Sequence, residues 1–289
     1  MAQLAASPPR SAEVTAPRVR PWLATATLAQ REWVRFVRQP NRVFGAIGQP
    51  IIFWLLFGAG LGPTFRMNGD AGAQVSYSAY FFPGSLVLIL LFTAIFATIS
   101  IIEDRREGFL QSVLVAPIPR WSMVLGKVAG GSLIALVEGL LFLALGLTLG
   151  IPFTAAMLAQ IVLLLAVIAL ALTSLGVVIA WRMDSTQGFH AIMSVFLMPM
   201  WLLSGAFFPA PPHVPGMSWI QWGLALVMQA NPLTYGVAAL RQLTTAADVP
   251  LPDGTPHMTT CWIVSLVFAA VMFAIACKMA GQRTAGDML

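Results

Sequence analysis

The sequence predicts an all-α integral membrane protein with six transmembrane helices. Its 289 residues are 58% hydrophobic and only 9% charged, whereas water-soluble chains carry roughly 25% charged residues. Six apolar runs each approach the length of about 20 residues that a helix needs to cross a bilayer. The basic residues lie at the ends of these runs and do not form one basic domain, which argues against nucleic-acid binding.

The six runs are predicted to be helical throughout, because lipid offers no hydrogen-bond partner to an open backbone. They cover residues 43–61, 80–102, 128–150, 157–181, 188–205 and 259–278. A further apolar stretch, 218–240, is interrupted by Asn231 and Pro232 and follows a cluster of prolines. We therefore expect this stretch to form a pair of short re-entrant helices on the outer side, and not a seventh span.

The distribution of basic residues predicts the orientation. With six spans and both termini in the cytoplasm, fourteen of the 16 Lys and Arg residues lie in inner segments, and only Arg66 and Arg241 lie in outer ones. Basic residues concentrate on the cytoplasmic side of membrane proteins. Residues 1–21, which lack the apolar core of a secretory signal, and residues 281–289 are expected to be cytoplasmic tails, the first of them disordered.

Residues 22–38 are predicted to form an amphipathic interfacial helix. One helical face is apolar and includes Trp33, and the opposite face carries Arg31, Arg35 and Arg38. Such a helix would lie along the inner leaflet with its arginines toward anionic headgroups, each contributing roughly 1 kcal/mol.

A charged hinge, residues 103–127, separates the second and third predicted spans. Helical spacing predicts a short helix that ends before Pro117 and Pro119, and Ser122 is a candidate N-cap of the next helix. The apolar residues that would share one face are Phe109, Leu110, Val113 and Leu114. The charged residues that can share another are Glu103, Arg106 and Glu107. The hinge is therefore either an ordinary solvated loop or a docking helix that offers an apolar knob within a ring of charges.

No catalytic apparatus is visible in the sequence. The one Gly-Lys pair, Gly126-Lys127, is followed by Val128 and lacks the preceding glycine of a phosphate-binding loop. The three histidines are isolated, and no nucleophile elbow occurs. We expect no catalytic residue, no metal site and no cofactor bound by this chain.

Glu138 is the one ionisable residue deep inside a predicted span. A charge there costs at least ~2.5 kcal/mol, so such residues usually face a cavity or a partner. Glu138 either lines a transport path or subunit interface, or is a protonated or hydrogen-bonded packing residue. Arg182, Asp184 and His190 cluster between the fourth and fifth spans and form either a polar turn or a second docking surface.

Together these features resemble those of ABC-2-type permeases, the membrane subunits of one class of ATP-binding-cassette exporters. The first is the hinge that ends in Gly126-Lys127. The second is Ser204-Gly205 followed by Phe208-Pro209. The third is the sequence from Asn231 through Tyr235 that leads to Arg241. The resemblance covers nearly the whole chain, with 43–280 as the six-span transmembrane domain.

The resemblance implies a role for each segment. The hinge would be a coupling helix that seats in a cleft of a separate ATPase, and 22–38 would lie beside the same subunit. The residues that this assigns to coupling are Glu103, Arg106, Glu107, Gly108, Phe109, Leu110 and Val113. The segment 206–241 would be a re-entrant cap on the outer side. The residues that this assigns to the cap are Phe208, Pro209, Asn231, Pro232 and Tyr235.

The resemblance also implies partners and a location. Two permease copies, expected as a homodimer, would pair with two ATPase copies that bind ATP and Mg, in a bacterial cytoplasmic (inner) membrane. The function implied is export, or efflux, of an amphiphilic substrate such as a drug, lipid or lipid-linked glycan. Two alternatives are a secondary transporter driven by an ion gradient, which usually carries several midplane charges, and a membrane-embedded enzyme, which the missing catalytic sets disfavour.

Overall fold

A computed structural model of the chain describes residues 20–61, 77–151, 153–211, 217–245, 251–252 and 254–282. The regular elements in these ranges are all helices. The predicted tails 1–21 and 281–289 lie almost wholly outside the described residues, although the first helix already begins at Pro21.

The helices follow the predicted order. In the first half of the chain they are α1 (Pro21–Val37), α2 (Pro40–Leu61), α3 (Tyr77–Arg106), α4 (Phe109–Val115) and α5 (Arg120–Leu143), which a 3₁₀ helix extends over Ala144–Leu149. In the second half they are α6 (Ala155–Trp181), α7 (Thr186–Ile192), α8 (Met198–Trp201), α9 (Trp219–Ala230), α10 (Pro232–Thr244) and α11 (Met258–Gly281).

Five helices or helical runs within the described ranges are long and apolar enough to cross a membrane. They are Tyr77–Arg106, Arg120–Leu149, Ala155–Trp181, Thr186–Ala206 and Met258–Gly281. Each contains most or all of one predicted span. The remaining predicted span, 43–61, lies within α2, a helix of 22 residues that is not among the five. The chain is therefore a multi-pass membrane protein with five candidate spans.

Helix α3 is at the centre of the bundle. Of its apolar stretch, 89% is buried inside the protein, against 22% for α11. It packs against α2, α5 and α6 along its length and reaches α10 at one end and α1 at the other. Consequently α3 touches both the predicted hinge and the predicted outer cap.

Two glycines allow α1 to pack closely along α5. A Cβ atom at Gly126 would lie 2.7 Å from the Leu28 Cβ, and one at Gly130 would lie 2.8 Å from the Glu32 Cβ, so only glycine fits this approach. The prediction that Ser122 is the N-cap of the third span is wrong, because α5 begins at Arg120. The Ser122 hydroxyl instead donates to the Pro21 carbonyl oxygen at 2.6 Å, which ties α5 to the start of α1.

The fifth candidate span is irregular, and the short helices that follow it form the predicted pair. Between α7 and α8, and again after α8, the backbone forms π-helical turns, and Gly205 ends the run with a positive φ of 76°. Helices α9 and α10 meet at Asn231, whose Oδ1 accepts from the Leu233 backbone N–H at 3.0 Å. Its Nδ2 donates to the Met200 carbonyl oxygen at 2.5 Å, so the junction is fixed to α8.

Candidate coupling site

The predicted short helix in the hinge is present as α4. Helix α3 runs past residue 102 to Arg106, and Gly108 then reverses the chain with a φ of 76°, in the left-handed region that favours glycine. Helix α4 ends at Val115, because Pro117 and Pro119 cannot continue it.

The apolar face of α4 points into the protein, so the prediction of an apolar knob offered to a partner is wrong. Leu110 is only 3% exposed, and Phe109 and Val113 are half-buried against the core. The Phe109 ring lies under the Arg31 guanidinium, whose Cζ is 3.8 Å from the ring centroid. The physical reason is that an amphipathic helix beside the apolar bundle buries its apolar side.

The hinge presents a different set of residues to solvent. The exposed fraction of Val115 is 84%. We call the exposed set the hinge surface: Arg106, Glu107, Ser112, Val115, Pro117 and Trp121. Only Arg106 and Glu107 were among the coupling residues predicted from the sequence, and Glu103 and Gly108 are half-buried.

Asp104 of α3 is fully buried and joins α3 to α1. The Arg31 guanidinium donates to both of its carboxylate oxygens, at 3.0 and 2.8 Å, and Arg35 Nη1 donates to Oδ1 at 2.9 Å. Arg35 Nη2 also donates to Glu103 Oε2 at 2.7 Å. The hydrogen bond to Asp104 raises the pKa of Arg31 above its usual value, although partial burial opposes this.

Helix α5 joins the same network through Lys127. Its Nζ donates to Asp104 and to Glu32 of α1, and both of these side chains are buried. The network therefore holds three cations and three carboxylates, an arrangement that compensates the cost of burying each charge. We call it the charge cluster: Arg31, Glu32, Arg35, Glu103, Asp104 and Lys127.

The charge cluster corrects the prediction that the α1 arginines face lipid headgroups. Arg31 and Arg35 turn toward α3 because the buried Asp104 carboxylate needs cationic partners. Arg38 is exposed and Trp33 is half-buried, so neither belongs to the cluster. Sequence reasoning missed Glu32, Asp104 and Lys127. The sequence did contain a signal for Asp104 and Lys127. Asp104 follows the second apolar run and Lys127 precedes the third, so the two lie at ends of consecutive spans that meet on the same side of the membrane.

The end of α3 is also fixed to the turn between α6 and α7. Arg105 donates to the backbone carbonyl oxygens of Trp181 and Met183, at 2.8 and 3.1 Å. Arg106 donates to the Asp184 carbonyl oxygen at 3.0 Å. These bonds satisfy carbonyl groups that a helix C-terminus leaves without partners. Of the predicted polar cluster in this turn, only Asp184 meets the hinge, while Arg182 and His190 are exposed.

A second polar site lies at the other end of α3. Arg241 of α10, only 7% exposed, donates to the Gly205 carbonyl oxygen at 2.8 Å and lies 4.2 Å from the Tyr80 ring centroid. The Tyr80 hydroxyl donates to the same carbonyl at 3.1 Å, and Tyr77 donates to Phe207 at 3.0 Å. This site joins α3 to the end of the fifth candidate span.

The predicted cap residues do not form this second polar site. Asn231 is buried at the α9–α10 junction, where Pro232 begins α10, and the Tyr235 hydroxyl donates to the Gln229 carbonyl oxygen at 3.0 Å. Phe208 is half-buried and Pro209 is exposed. Sequence reasoning missed Tyr80 and used Arg241 as an outer charge and as part of the family resemblance but not as a site residue, because periodicity does not show which helices meet.

Glu138 lies inside the chain, at the contact between α5 and α3. It is 2% exposed, and one of its carboxylate oxygens accepts a hydrogen bond from the Thr93 hydroxyl. Its other oxygen has no hydrogen-bond partner among the described residues. This position agrees better with a buried packing residue than with a residue on a path between two subunits.

Comparison with known proteins identifies relatives over most of the chain. A putative transport permease, ycf38, of Cyanophora paradoxa is 27% identical over 221 residues, which are 75% of this chain and 72% of the relative. A probable multidrug ABC transporter permease, YbhR, of Escherichia coli is 27% identical over 152 residues, 51% of this chain and 41% of the relative. The inner membrane transport permease YadH of Escherichia coli is 24% identical over 272 residues, 92% of this chain and 97% of the relative.

The family comparison covers both polar sites. The family model described as ABC-2 type transporter matches residues 24–244, from the start of α1 to the end of α10. The match includes the hinge, the charge cluster and Arg241, and members of this family are transport subunits and not enzymes. The chain therefore belongs to the ABC-2 type transporter family, as a permease.

Proposed function

We propose that this chain is the membrane subunit of an ATP-driven exporter, and that a separate ATPase binds it at the hinge surface. One observation carries the proposal: the hinge surface belongs to a segment that ion pairs and hydrogen bonds connect to three other helices, α1, α5 and α6. The charge cluster links the end of α3 to α1 and α5, and Arg105 and Arg106 link it to the turn between α6 and α7.

These links make α4 a suitable element for transmitting force. Helices α3 and α5 enter and leave the hinge, so a displacement of α4 acts on the ends of both. Helix α1 would move with α3 because its arginines bind Asp104, and α6 would move with α3 through its hydrogen bond with Arg105. Helix and domain shifts of this kind are the usual components of alternating access. ATP and Mg would bind in the partner, because this chain contains no phosphate-binding loop.

The proposal also covers the topology of the chain in the membrane and the composition of the complete transporter. Helix α2 would supply the sixth span, with both termini in the cytoplasm and α1 at the inner surface. Helices α9 and α10 would form the re-entrant cap on the outer side. Two copies of the chain, as a homodimer, would bind two ATPase copies in a bacterial inner membrane. The charge distribution in the sequence and the name of the relative YadH support this location.

The substrate would be amphiphilic: a drug, a lipid or a lipid-linked glycan. The candidate spans carry few charges, and several helices present large apolar side chains on their outer faces. Such surfaces match molecules that partition into the bilayer. The relative YbhR is named a probable multidrug permease, which is consistent with a substrate of this class.

The test is purification of the tagged chain in mild detergent, followed by mass spectrometry of the proteins that co-purify. We expect an ABC ATPase in near-equal amount with the wild type and its loss with Val115→Asp, since a charge at the most exposed apolar position of the hinge surface opposes docking. Val115→Thr, which keeps the shape of the side chain, is the matched control and should retain the ATPase. Equal retention by all three proteins would remove the hinge surface as the docking site.

Phe109→Asp would be a less specific test of docking at the hinge. The Phe109 ring lies under Arg31, so an aspartate there would pair with Arg31 and perturb the charge cluster.

Export in vesicles separates the proposal from its alternative. Transport that persists without ATP but stops when the proton gradient is dissipated would indicate a secondary transporter, for which Glu138 would be the first candidate residue.

A further inference from the structure

Glu138 is a buried carboxyl group to which the proposed export mechanism assigns no role. Helix α6, which packs on both α3 and α5, contains no ionisable side chain at all. Helix α3 has none between Tyr80 and Glu103, and on α5 the nearest is Lys127, three helical turns away. Helices α3 and α6 therefore bring no charged group close to Glu138, whose polar contact is Thr93. Helix α1, which also packs on α5, carries Glu32 and Arg35.

A small cavity connects Thr93 with the charge cluster. Its volume is about 20 Å³, which is sufficient for one water molecule. Helix α1 contributes Glu32 and Arg35 to its wall, and α3 contributes Thr93 and Ser100. The Lys127 ammonium donates to the Ser100 hydroxyl at 3.3 Å, so the cavity adjoins the charge cluster. Polar groups thus continue from the charge cluster through the cavity to Thr93.

We propose that Glu138 is a proton-binding site that exchanges its proton with the cytoplasm through this cavity. A hydronium ion in the cavity would give a proton to Thr93 Oγ1 while the original hydroxyl proton of Thr93 passes to Glu138 Oε2. The products are a neutral carboxyl group and a water molecule, and rotation of the Thr93 hydroxyl prepares the next exchange. Proton release follows the same steps in reverse.

The charged groups that line the cavity with Thr93 are Glu32 and Arg35, and both are paired in the charge cluster, Glu32 with Lys127 and Arg35 with Glu103. Loss of the proton would leave an unpaired carboxylate between α3 and α5, the two helices that flank the hinge. The cytoplasmic proton concentration would then act on the packing of these helices. This property is independent of ATP-driven export and holds whichever energy source drives transport.

Infrared spectroscopy of the purified permease in sided proteoliposomes tests the proposal. We expect the carbonyl band of a protonated carboxyl group in the wild type, and the complete loss of that band in Glu138→Gln. The band should disappear as the pH on the cytoplasmic side is raised, and should not respond when only the pH on the outer side is changed.

Thr93→Val supplies a second readout that does not depend on activity. The Glu138 band should remain but move to higher frequency, because the carboxyl group loses its hydrogen bond, and its exchange in D₂O should slow. Thr98→Val is the matched control, since the Thr98 hydroxyl bonds only the Ile95 carbonyl of its own helix. Three results would each overturn the proposal: no band that depends on Glu138, a band that is unaffected by pH, or a band that follows the outer pH alone.

Discussion

Replacing Asp104 with asparagine removes one negative charge from the centre of the charge cluster. The side chain is fully buried and contacts Arg31, Arg35 and Lys127, so the variant leaves three cations with only two carboxylates, Glu32 and Glu103. Loss of one partner from a buried ion pair costs about 3–5 kcal/mol, because the remaining charge stays buried without compensation. We expect Asp104→Asn to destabilise the protein by about this amount.

The assay is thermal unfolding of the purified protein in detergent, monitored by tryptophan fluorescence. Glu103→Gln is the matched control: it also removes a carboxylate charge from α3, but its side chain is 26% exposed and pairs with Arg35 in contact with solvent. Partly exposed pairs contribute about 0–1 kcal/mol to stability, so the control should unfold at nearly the same temperature as the wild type.

A double-mutant cycle tests whether Arg31 is a partner of Asp104. Arg31→Met combined with Asp104→Asn should cost less than the sum of the two single variants, by about 0.5–3 kcal/mol, since the two side chains share two hydrogen bonds. If Asp104→Asn costs no more than Glu103→Gln, or if the double variant is additive, then the charge cluster does not hold α1 against α3 and the force path proposed for the hinge fails.

Three further predictions use the same unfolding assay together with vesicle transport. Gly126→Ala should lower stability by about 1–3 kcal/mol, because the new methyl group meets an α1 side chain, whereas Gly223→Ala, which meets no atom within 4 Å, should be neutral or slightly stabilising. Arg241→Met should lower the free energy of unfolding by about 1.5–3 kcal/mol, because hydrogen bonds from a charged group are lost. Arg182→Met, at an exposed position, is the control and should leave the free energy of unfolding nearly unchanged. Glu138→Gln should assemble normally, since its amide oxygen can still accept from a hydroxyl, and should change the rate of transport more than the yield of folded protein; an unchanged rate would show that Glu138 takes no part in transport.

The helices could be predicted from the sequence because their limits are set locally. Pro117 and Pro119 limit the hinge helix in sequence and structure alike, and Asn231 with Pro232 separates α9 from α10. The re-entrant path of that pair stays a prediction. The prediction that Ser122 is an N-cap was wrong because a serine hydroxyl has more than one possible partner, and here it bonds α1 and not its own helix.

The contacts between helices could not be predicted, because periodicity shows which residues share a face but not what that face meets. Leu110 was predicted to face a partner and instead packs on the bundle. Arg31 and Arg35 were predicted to face headgroups, but a buried carboxylate on a helix far along the chain attracts them more strongly than solvated anions would.

Helix α3 connects the two polar sites and so relates the hinge to the site around Arg241. Its 30 residues span about 45 Å, with Asp104 fixed in the charge cluster at one end and Tyr80 bonded beside Arg241 at the other. Pro83 lies near the end that carries Tyr80, where it removes one backbone hydrogen bond and gives the helix a place to bend. A displacement of the hinge would therefore travel along the regular part of α3, past the contact between Thr93 and Glu138, and would be taken up as bending near Pro83. The Gly205 carbonyl accepts from both Tyr80 and Arg241, so bending at this point changes the contact between α3, α10 and the end of the fifth candidate span, which is where an exit on the outer side would open.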